Sequence, residues 1–208
     1  MSEQLQRALS GRTALVNVHW QNDIAGGNGA FAPFFWESIV RSGATQRTVE
    51  LVADARKSGM LVIWAKAEFR PGYPELPLNN GLNEAIKASN ALIHGSHGAE
   101  NVADLTPLEN ELVVGHPGTS AFRDTLLDAV LRMNHIETVL FTGVATNITV
   151  EGTARDAVNL GYRAVIVSDA CAAATDAAHD ATLETFSMLG QTATVEEIRA
   201  AELAGSVH

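Results

Sequence analysis

Short apolar segments rich in β-branched residues alternate along the chain with segments whose apolar residues recur at helical spacing. The apolar segments predict buried β-strands at 13–18, 60–67, 111–115, 138–142 and 162–167, with a weaker sixth at 192–195. The helical patterns lie at 45–57, 122–133, 147–160 and 177–188. Because this alternation is typical of βαβ units, we predict an α/β fold with a mostly parallel sheet and helices on both faces.

Two stretches of the chain, 24–36 and 69–80, are rich in loop-forming residues. Open α/β sheets bind ligands beyond the carboxyl ends of their strands, where loops of this kind can close over a pocket. Side chains that directly follow the predicted strands are therefore the candidates for ligand contact. They are His19, residues 66–70, His116, residues 143–149 and residues 168–171.

The composition is that of an ordinary globular protein, and its length of 208 residues suits a single domain over 1–208. A formal net charge of -10 disfavours nucleic-acid binding, because contact with phosphates needs clustered Lys and Arg side chains. No segment has the apolar length of a membrane span or the apolar core of a signal peptide. We therefore expect a cytoplasmic protein with a small-molecule substrate and no membrane or nucleic-acid partner.

The segment 142–156, TGVATNITVEGTARD, joins the fourth predicted strand to the helix that follows. It closely resembles the signature GVATNxCVExTARDA of the isochorismatase-like (cysteine hydrolase) superfamily. Two further segments match in the same order: ALVNVHWQND at 14–23 resembles a pattern ending D-x-Q-N-D, and VVGHPGTSAF at 113–122 resembles V-V-x-K-x-x-x-S-A-F. With DACA at 169–172 and His179, the resemblance extends over nearly the whole chain.

The resemblance implies a three-layer, doubly wound, Rossmann-like sheet of about six strands, and a pocket whose catalytic groups are Asp, Lys and Cys. This sequence departs from the pattern at all three positions. His19 stands at the Asp position, His116 at the Lys position and Thr149 at the Cys position. Standard cysteine-amidase chemistry does not transfer to this chain, because a hydroxyl needs a positioned base before it becomes nucleophilic.

Two mechanisms stay open at this point. In the first, the imidazoles of His19 and His116, with an ordinary pKa of about 6.5, transfer protons for a Thr149 nucleophile. In the second, His19 is the acid, as in isochorismatases that lack the Cys, and Thr149 only holds the substrate or water. In both, the resemblance implies a cis peptide bond at Val144–Ala145 and an oxyanion hole formed by neighbouring amides.

Aromatic side chains near the predicted strand ends suggest an apolar pocket, and Arg70 could meet a substrate carboxylate. The candidate substrate-binding residues are Gln21, Phe31, Phe35, Phe69, Arg70, Tyr73 and Phe122.

Neither a metal nor a cofactor is expected. Metal-binding nicotinamidases of the superfamily carry an Asp and paired His residues after the second strand, and here that stretch reads WAKAEFRPGY at 64–73. His94 and His97 have the spacing of a weak metal motif, but their Gly/Ser-rich surroundings are typical of a solvated turn. Cys171, the single cysteine, lies outside the nucleophile turn and is predicted to be a small buried residue.

We therefore predict a metal-independent hydrolase of a small amide, ester or enol-ether substrate, in which His19 and His116 transfer protons. The alternative is a catalytically silent binding or scaffold protein that keeps the fold. Facing imidazoles near the Thr149 hydroxyl would favour catalysis, whereas a pocket with both imidazoles buried and hydrogen-bonded to the backbone would favour the silent protein. Because superfamily members commonly form symmetric assemblies, a homo-oligomer, either a dimer or a tetramer, is also expected.

Overall fold

A computed structural model describes residues 3–205, and its centre is a parallel sheet with the strand order β3-β2-β1-β4-β5-β6. The strands are β1 Thr13–Val18, β2 Leu61–Ala67, β3 Leu112–His116, β4 Thr138–Val144, β5 Arg163–Ala172 and β6 Gln191–Ala193. With helices packed on both faces, this arrangement confirms the predicted three-layer α/β fold.

The helices are α1 Glu3–Leu9, α2 Asn22–Ala25, α3 Ala32–Ser42, α4 Ala44–Ser58, α5 Gly81–Ala88, α6 Leu127–Met133, α7 Glu151–Asn159, α8 Asp176–Phe186 and α9 Val195–Gly205. A π-helix, Thr146–Val150, leads directly into α7. None of the helices in residues 3–205 combines the length and apolar character that crossing a membrane would need.

The side chains of β1 show why the sheet lies between two cores. Leu15 belongs to one hydrophobic cluster, whereas Ala14, Val16 and Val18 belong to the other, on the opposite face. All four are fully shielded from solvent. A strand that is apolar on both sides is stable only between two helical layers, which explains the continuous apolar pattern at this segment.

Three predicted boundaries were wrong. The helix predicted at 122–133 begins only at Leu127, because the Thr125 hydroxyl bonds to the Ala121 carbonyl and the Leu127 N–H and forms a turn instead. The loop stretch 24–36 contains the end of α2 and the start of α3, whose first turn accommodates Pro33. The fifth strand continues past 167 to Ala172.

The chain reverses its direction of winding between β1 and β4, which are neighbours in the sheet but distant in sequence. In open α/β sheets this switch point leaves a crevice beyond the carboxyl ends of the two strands. His19 follows β1, and the Val144–Ala145 bond closes β4. The topology therefore brings the two segments to one place.

Candidate active site

A cavity of about 910 Å³ lies at the carboxyl edge of the sheet, over the switch point. The ends of four adjacent strands contribute to its wall, through His19 after β1, Ala67 in β2, Pro117 after the edge strand β3 and Val144 in β4. The π-helix adds Thr149 on one side. Four of the five positions that the resemblance marked as catalytic or as part of the oxyanion turn therefore share this cavity: His19, Val144, Ala145 and Thr149.

His19 is held in the wall of the cavity by its backbone. Its φ of 57° lies in the left-handed region, and its N–H donates to the carbonyl of Ala65 at 2.9 Å. Only 5% of the residue is exposed, yet it contributes to the cavity wall. Its ring therefore reaches the cavity from an otherwise buried position.

His116 lies behind His19 and does not line the cavity. The Nε2 atoms of the two rings are 3.1 Å apart, and the rings stack with their centroids 4.9 Å apart. On its other side, Nδ1 of His116 donates to the carbonyl of Gly118 at 3.0 Å. The two imidazoles thus form a chain of hydrogen bonds that runs from the cavity to the backbone.

Burial controls the protonation of this pair. It lowers the pKa of His19 well below the ordinary value, and the neighbouring His116 lowers it further. Burial also lowers the pKa of His116 to about 4, although the hydrogen bond to Gly118 acts in the opposite direction. Both rings are therefore neutral near pH 7, so the pair can accept a proton but offers no cationic acid.

The turn after β4 contains the cis peptide bond Val144–Ala145, at the position where the resemblance implied one. The carbonyl of Ala145 accepts hydrogen bonds from the N–H groups of Ile148 and Val150 at 3.1 and 3.3 Å. The Ala145 N–H donates to no acceptor within residues 3–205. This amide is consequently available to a ligand in the cavity.

Thr149 lies in the π-helix and is 4% exposed. Its hydroxyl makes no hydrogen bond with any residue that the structure describes, although it lines the cavity. The same π-helix is fixed to α8, because the hydroxyl of Thr146 lies 2.9 Å from Nδ1 of His179. π-helical turns are often found at functional sites.

The structure separates the predicted aromatic contacts into two groups. Phe31, Phe35 and Phe69 line the cavity and form an apolar part of its wall. Phe122 does not line it and stacks against Tyr162, with the ring centroids 6.1 Å apart. The position of Phe122 in the sequence, soon after β3, does not show that its side chain packs on Tyr162 instead of lining the cavity.

Three other predicted substrate-binding residues also lie outside the cavity wall. The side-chain amide of Gln21 donates to the carbonyl of Ala67 at 2.7 Å and accepts from its N–H at 2.8 Å. The Tyr73 hydroxyl donates to the carbonyl of Ala91 at 2.7 Å. Arg70 is exposed, and so the cationic contact predicted from sequence is absent from the wall.

Sequence reasoning missed four charged residues that line the cavity, Glu75, Arg123, Arg155 and Asp156. Glu75 accepts from the N–H of Arg70 at 2.8 Å through Oε1, whereas its enclosed Oε2 has no partner among the described residues. Glu75 falls within the loop stretch 69–80, so its location could have been suspected. Nothing in the local pattern around Arg123 indicates that it contributes to the cavity.

The remaining candidates lie apart from the cavity. Cys171 is buried with its thiol near the carbonyl of Phe141, and burial raises the pKa of the thiol. His94 is exposed and lies 2.8 Å from a carboxylate oxygen of Glu68. Within residues 3–205, no group of three or more His, Cys, Asp or Glu side chains is arranged to hold a metal ion.

The strand order and the cavity at the switch point define an α/β protein with a small-molecule site at the carboxyl edge of its sheet. The family model of the isochorismatase domain matches residues 13–197, and the chain therefore belongs to the isochorismatase family. Its relatives support an enzyme of the hydrolase class.

The ureidoacrylate amidohydrolase RutB of Cronobacter turicensis is 30% identical over 171 residues, covering 76% of this chain and 74% of the relative. An isochorismatase family protein from Desulfovibrio vulgaris superimposes with a TM-score of 0.83 at 25% identity, covering 93% of this chain and 99% of the other. The N-carbamoylsarcosine amidase of Thermoplasma acidophilum gives a TM-score of 0.74 at 26% identity, over 90% and 98% of the two chains.

Proposed function

We propose that the protein is a metal-independent hydrolase of a small amide and that His19 is the base of the reaction. The observation that carries the proposal is that His19, Thr149 and the Val144–Ala145 turn line one cavity. The relatives support the same bond type, since RutB is a ureidoacrylate amidohydrolase and the Thermoplasma acidophilum protein is an N-carbamoylsarcosine amidase.

In this mechanism a hydroxyl, from Thr149 or from water, attacks the amide carbon as neutral His19 accepts its proton. The carbonyl oxygen becomes negatively charged, and the free N–H of Ala145 stabilises it. When the C–N bond breaks, the leaving nitrogen takes the proton from His19. If Thr149 attacked, water then hydrolyses the ester by the same sequence of proton transfers and returns the free hydroxyl.

The position of Thr149 fits two roles, nucleophile and substrate anchor. As a nucleophile it becomes an ester during turnover, whereas as an anchor it donates or accepts a hydrogen bond and water attacks. The aromatic wall formed by Phe31, Phe35 and Phe69 serves either role, because it keeps bulk water away from the reacting carbonyl.

The test is turnover of a panel of small carboxamides and N-carbamoyl compounds by the purified protein, with the products detected by mass spectrometry. His19→Asn is the informative variant, because Asn tolerates the positive φ at this position and carries no basic nitrogen. We expect kcat to fall by about 10² to 10⁴, the usual contribution of a general base. His94→Asn, at an exposed position, is the matched control and should retain the activity.

A chelator should leave turnover unchanged, since the proposal uses no metal ion. Full activity of the His19→Asn protein would refute the assigned base. Silence of the wild-type protein across the whole panel would instead favour the catalytically silent binding protein.

A further inference from the structure

The hydrogen bonds of the two histidines determine where their protons are. A carbonyl oxygen can only accept, so the 3.0 Å contact with Gly118 requires a proton on Nδ1 of His116. A neutral imidazole carries one N–H, which leaves Nε2 of His116 as an acceptor. The 3.1 Å contact between the two Nε2 atoms is then a hydrogen bond only if Nε2 of His19 is the donor.

This assignment leaves Nδ1 of His19 without a proton. Nδ1 has no hydrogen-bond partner among the described residues. Unlike Oε2 of Glu75, it is not fully enclosed by the protein. Since His19 lines the cavity and His116 does not, the accessible lone pair of the two rings lies on Nδ1 of His19.

We propose that His116 is a positioning residue that holds His19 in its Nε2–H tautomer, so that His19 Nδ1 is the nitrogen that accepts the proton in the reaction. The tautomer follows from the hydrogen-bond geometry of two neutral rings, whereas the use of Nδ1 as the base rests on the proposed function. No other ring nitrogen of the pair combines a free lone pair with access to the cavity.

The proton transfers balance without any further group. Nδ1 of His19 accepts the proton of the attacking hydroxyl, and the resulting imidazolium keeps donating from Nε2 to His116. The same proton then leaves Nδ1 for the departing nitrogen, and the ring returns to its starting tautomer. A lysine at position 116, as in the family pattern, offers a charged amine only as a donor and would favour the opposite tautomer of His19.

The tautomer can be measured directly by long-range ¹H–¹⁵N correlation of histidine-labelled protein, because protonated and unprotonated ring nitrogens differ in ¹⁵N shift. The His19 signals are identified by their loss in His19→Asn. We expect Nε2 of His19 to be protonated in the wild-type protein and in His116→Gln, whose side-chain carbonyl can replace the acceptor. His116→Leu removes the acceptor and should give a mixture of both tautomers.

A wild-type spectrum with the proton on Nδ1 of His19 would overturn the proposal, and so would a His116→Leu spectrum identical to that of the wild type. If His116→Leu does not fold, the wild-type and His116→Gln spectra still decide. Because the spectra need no substrate, they also separate failure of this proposal from failure of the proposed hydrolase.

Turnover supplies the second measurement. We expect His116→Leu to lower kcat by about 10², the cost of a misplaced catalytic group, with little change in KM. His116→Gln should recover most of the loss. Equal kcat values for the Leu and Gln variants would contradict a positioning role that acts through the acceptor at Nε2.

Discussion

The side chains at positions 19 and 116 are in contact, so a charge at one position affects the other. The resemblance implies an acid at one position and a base at the other, whose opposite charges would cancel. Replacing only one of them would leave a buried charge without a partner, at a cost of about 3–5 kcal/mol. In this chain both positions carry imidazoles, which burial keeps neutral, so the pair has no uncompensated charge.

Two substitutions test the role of the Thr149 hydroxyl, because they change the chemistry of the side chain and largely keep its shape. Thr149→Val keeps the branched side chain and removes the hydroxyl, so we expect a large loss of kcat/KM. Thr149→Ser keeps a hydroxyl and should retain most of the activity.

Intact-mass measurement during turnover then separates the two roles of Thr149. A nucleophile gives a transient increase in mass that equals the acyl group, and this increase is absent in Thr149→Val. An anchor gives no mass increase, and its loss raises KM more than it lowers kcat. Wild-type kinetics in the Val variant would exclude both roles.

Strands β1 and β4 leave no room for a side chain at the position where Gly143 pairs with Val18. Gly143 pairs with Val18 and has a φ of 142°, a conformation that side chains rarely adopt. A Cβ atom at Gly143 would lie 2.1 Å from the carbonyl oxygen of Val18. A glycine is therefore required where the site is built.

We expect Gly143→Ala to lower the free energy of unfolding by about 1–3 kcal/mol, because the added methyl group forces β4 away from β1. Gly81→Ala is the matched control, since nothing lies within 4 Å of a Cβ at that first residue of α5. Urea denaturation of both variants measures the difference. Equal stability of the two proteins would contradict the steric argument.

At the scale of the whole molecule, the buried histidines couple stability to pH. The pKa of His116 is lowered from 6.5 to about 4 in the folded chain, and that of His19 is lowered as well. Above pH 6.5 neither state binds the proton, so the full stability is present. As the pH falls from 6.5 toward 4, the unfolded chain becomes protonated first, and stability is lost.

Each such histidine should lower the free energy of unfolding by about 1.4 kcal/mol per pH unit within this window. Urea denaturation between about pH 7 and about pH 5 measures the slope, and His116→Gln provides the comparison because it removes one titrating group. We expect the variant to show a shallower slope than the wild type. Identical slopes would mean that His116 is not held neutral by folding.

The predicted homo-oligomer is a property of the whole molecule that light scattering can measure. The expectation rests on the resemblance to proteins that commonly form symmetric assemblies.

Sequence alone determined the features that depend on local chemistry. Apolar periodicity predicted the strands, since a fully buried strand must be apolar on both sides. The segment 142–156 pointed to the family and marked position 149, whereas the segments 14–23 and 113–122 marked positions 19 and 116. The π-helix was missed, because apolar spacing over a few residues does not distinguish it from the α-helix that continues it.

Only the tertiary structure decided which of the marked side chains share the cavity. His19 and His116 are 97 residues apart, and the pairing of β1, β2 and β3 places one ring at the cavity and the other behind it. Gln21 and Tyr73 bond to backbone carbonyls instead, whereas Glu75 reaches the wall. The directions of these side chains result from packing between distant segments. The pattern of a single segment carries no information about that packing.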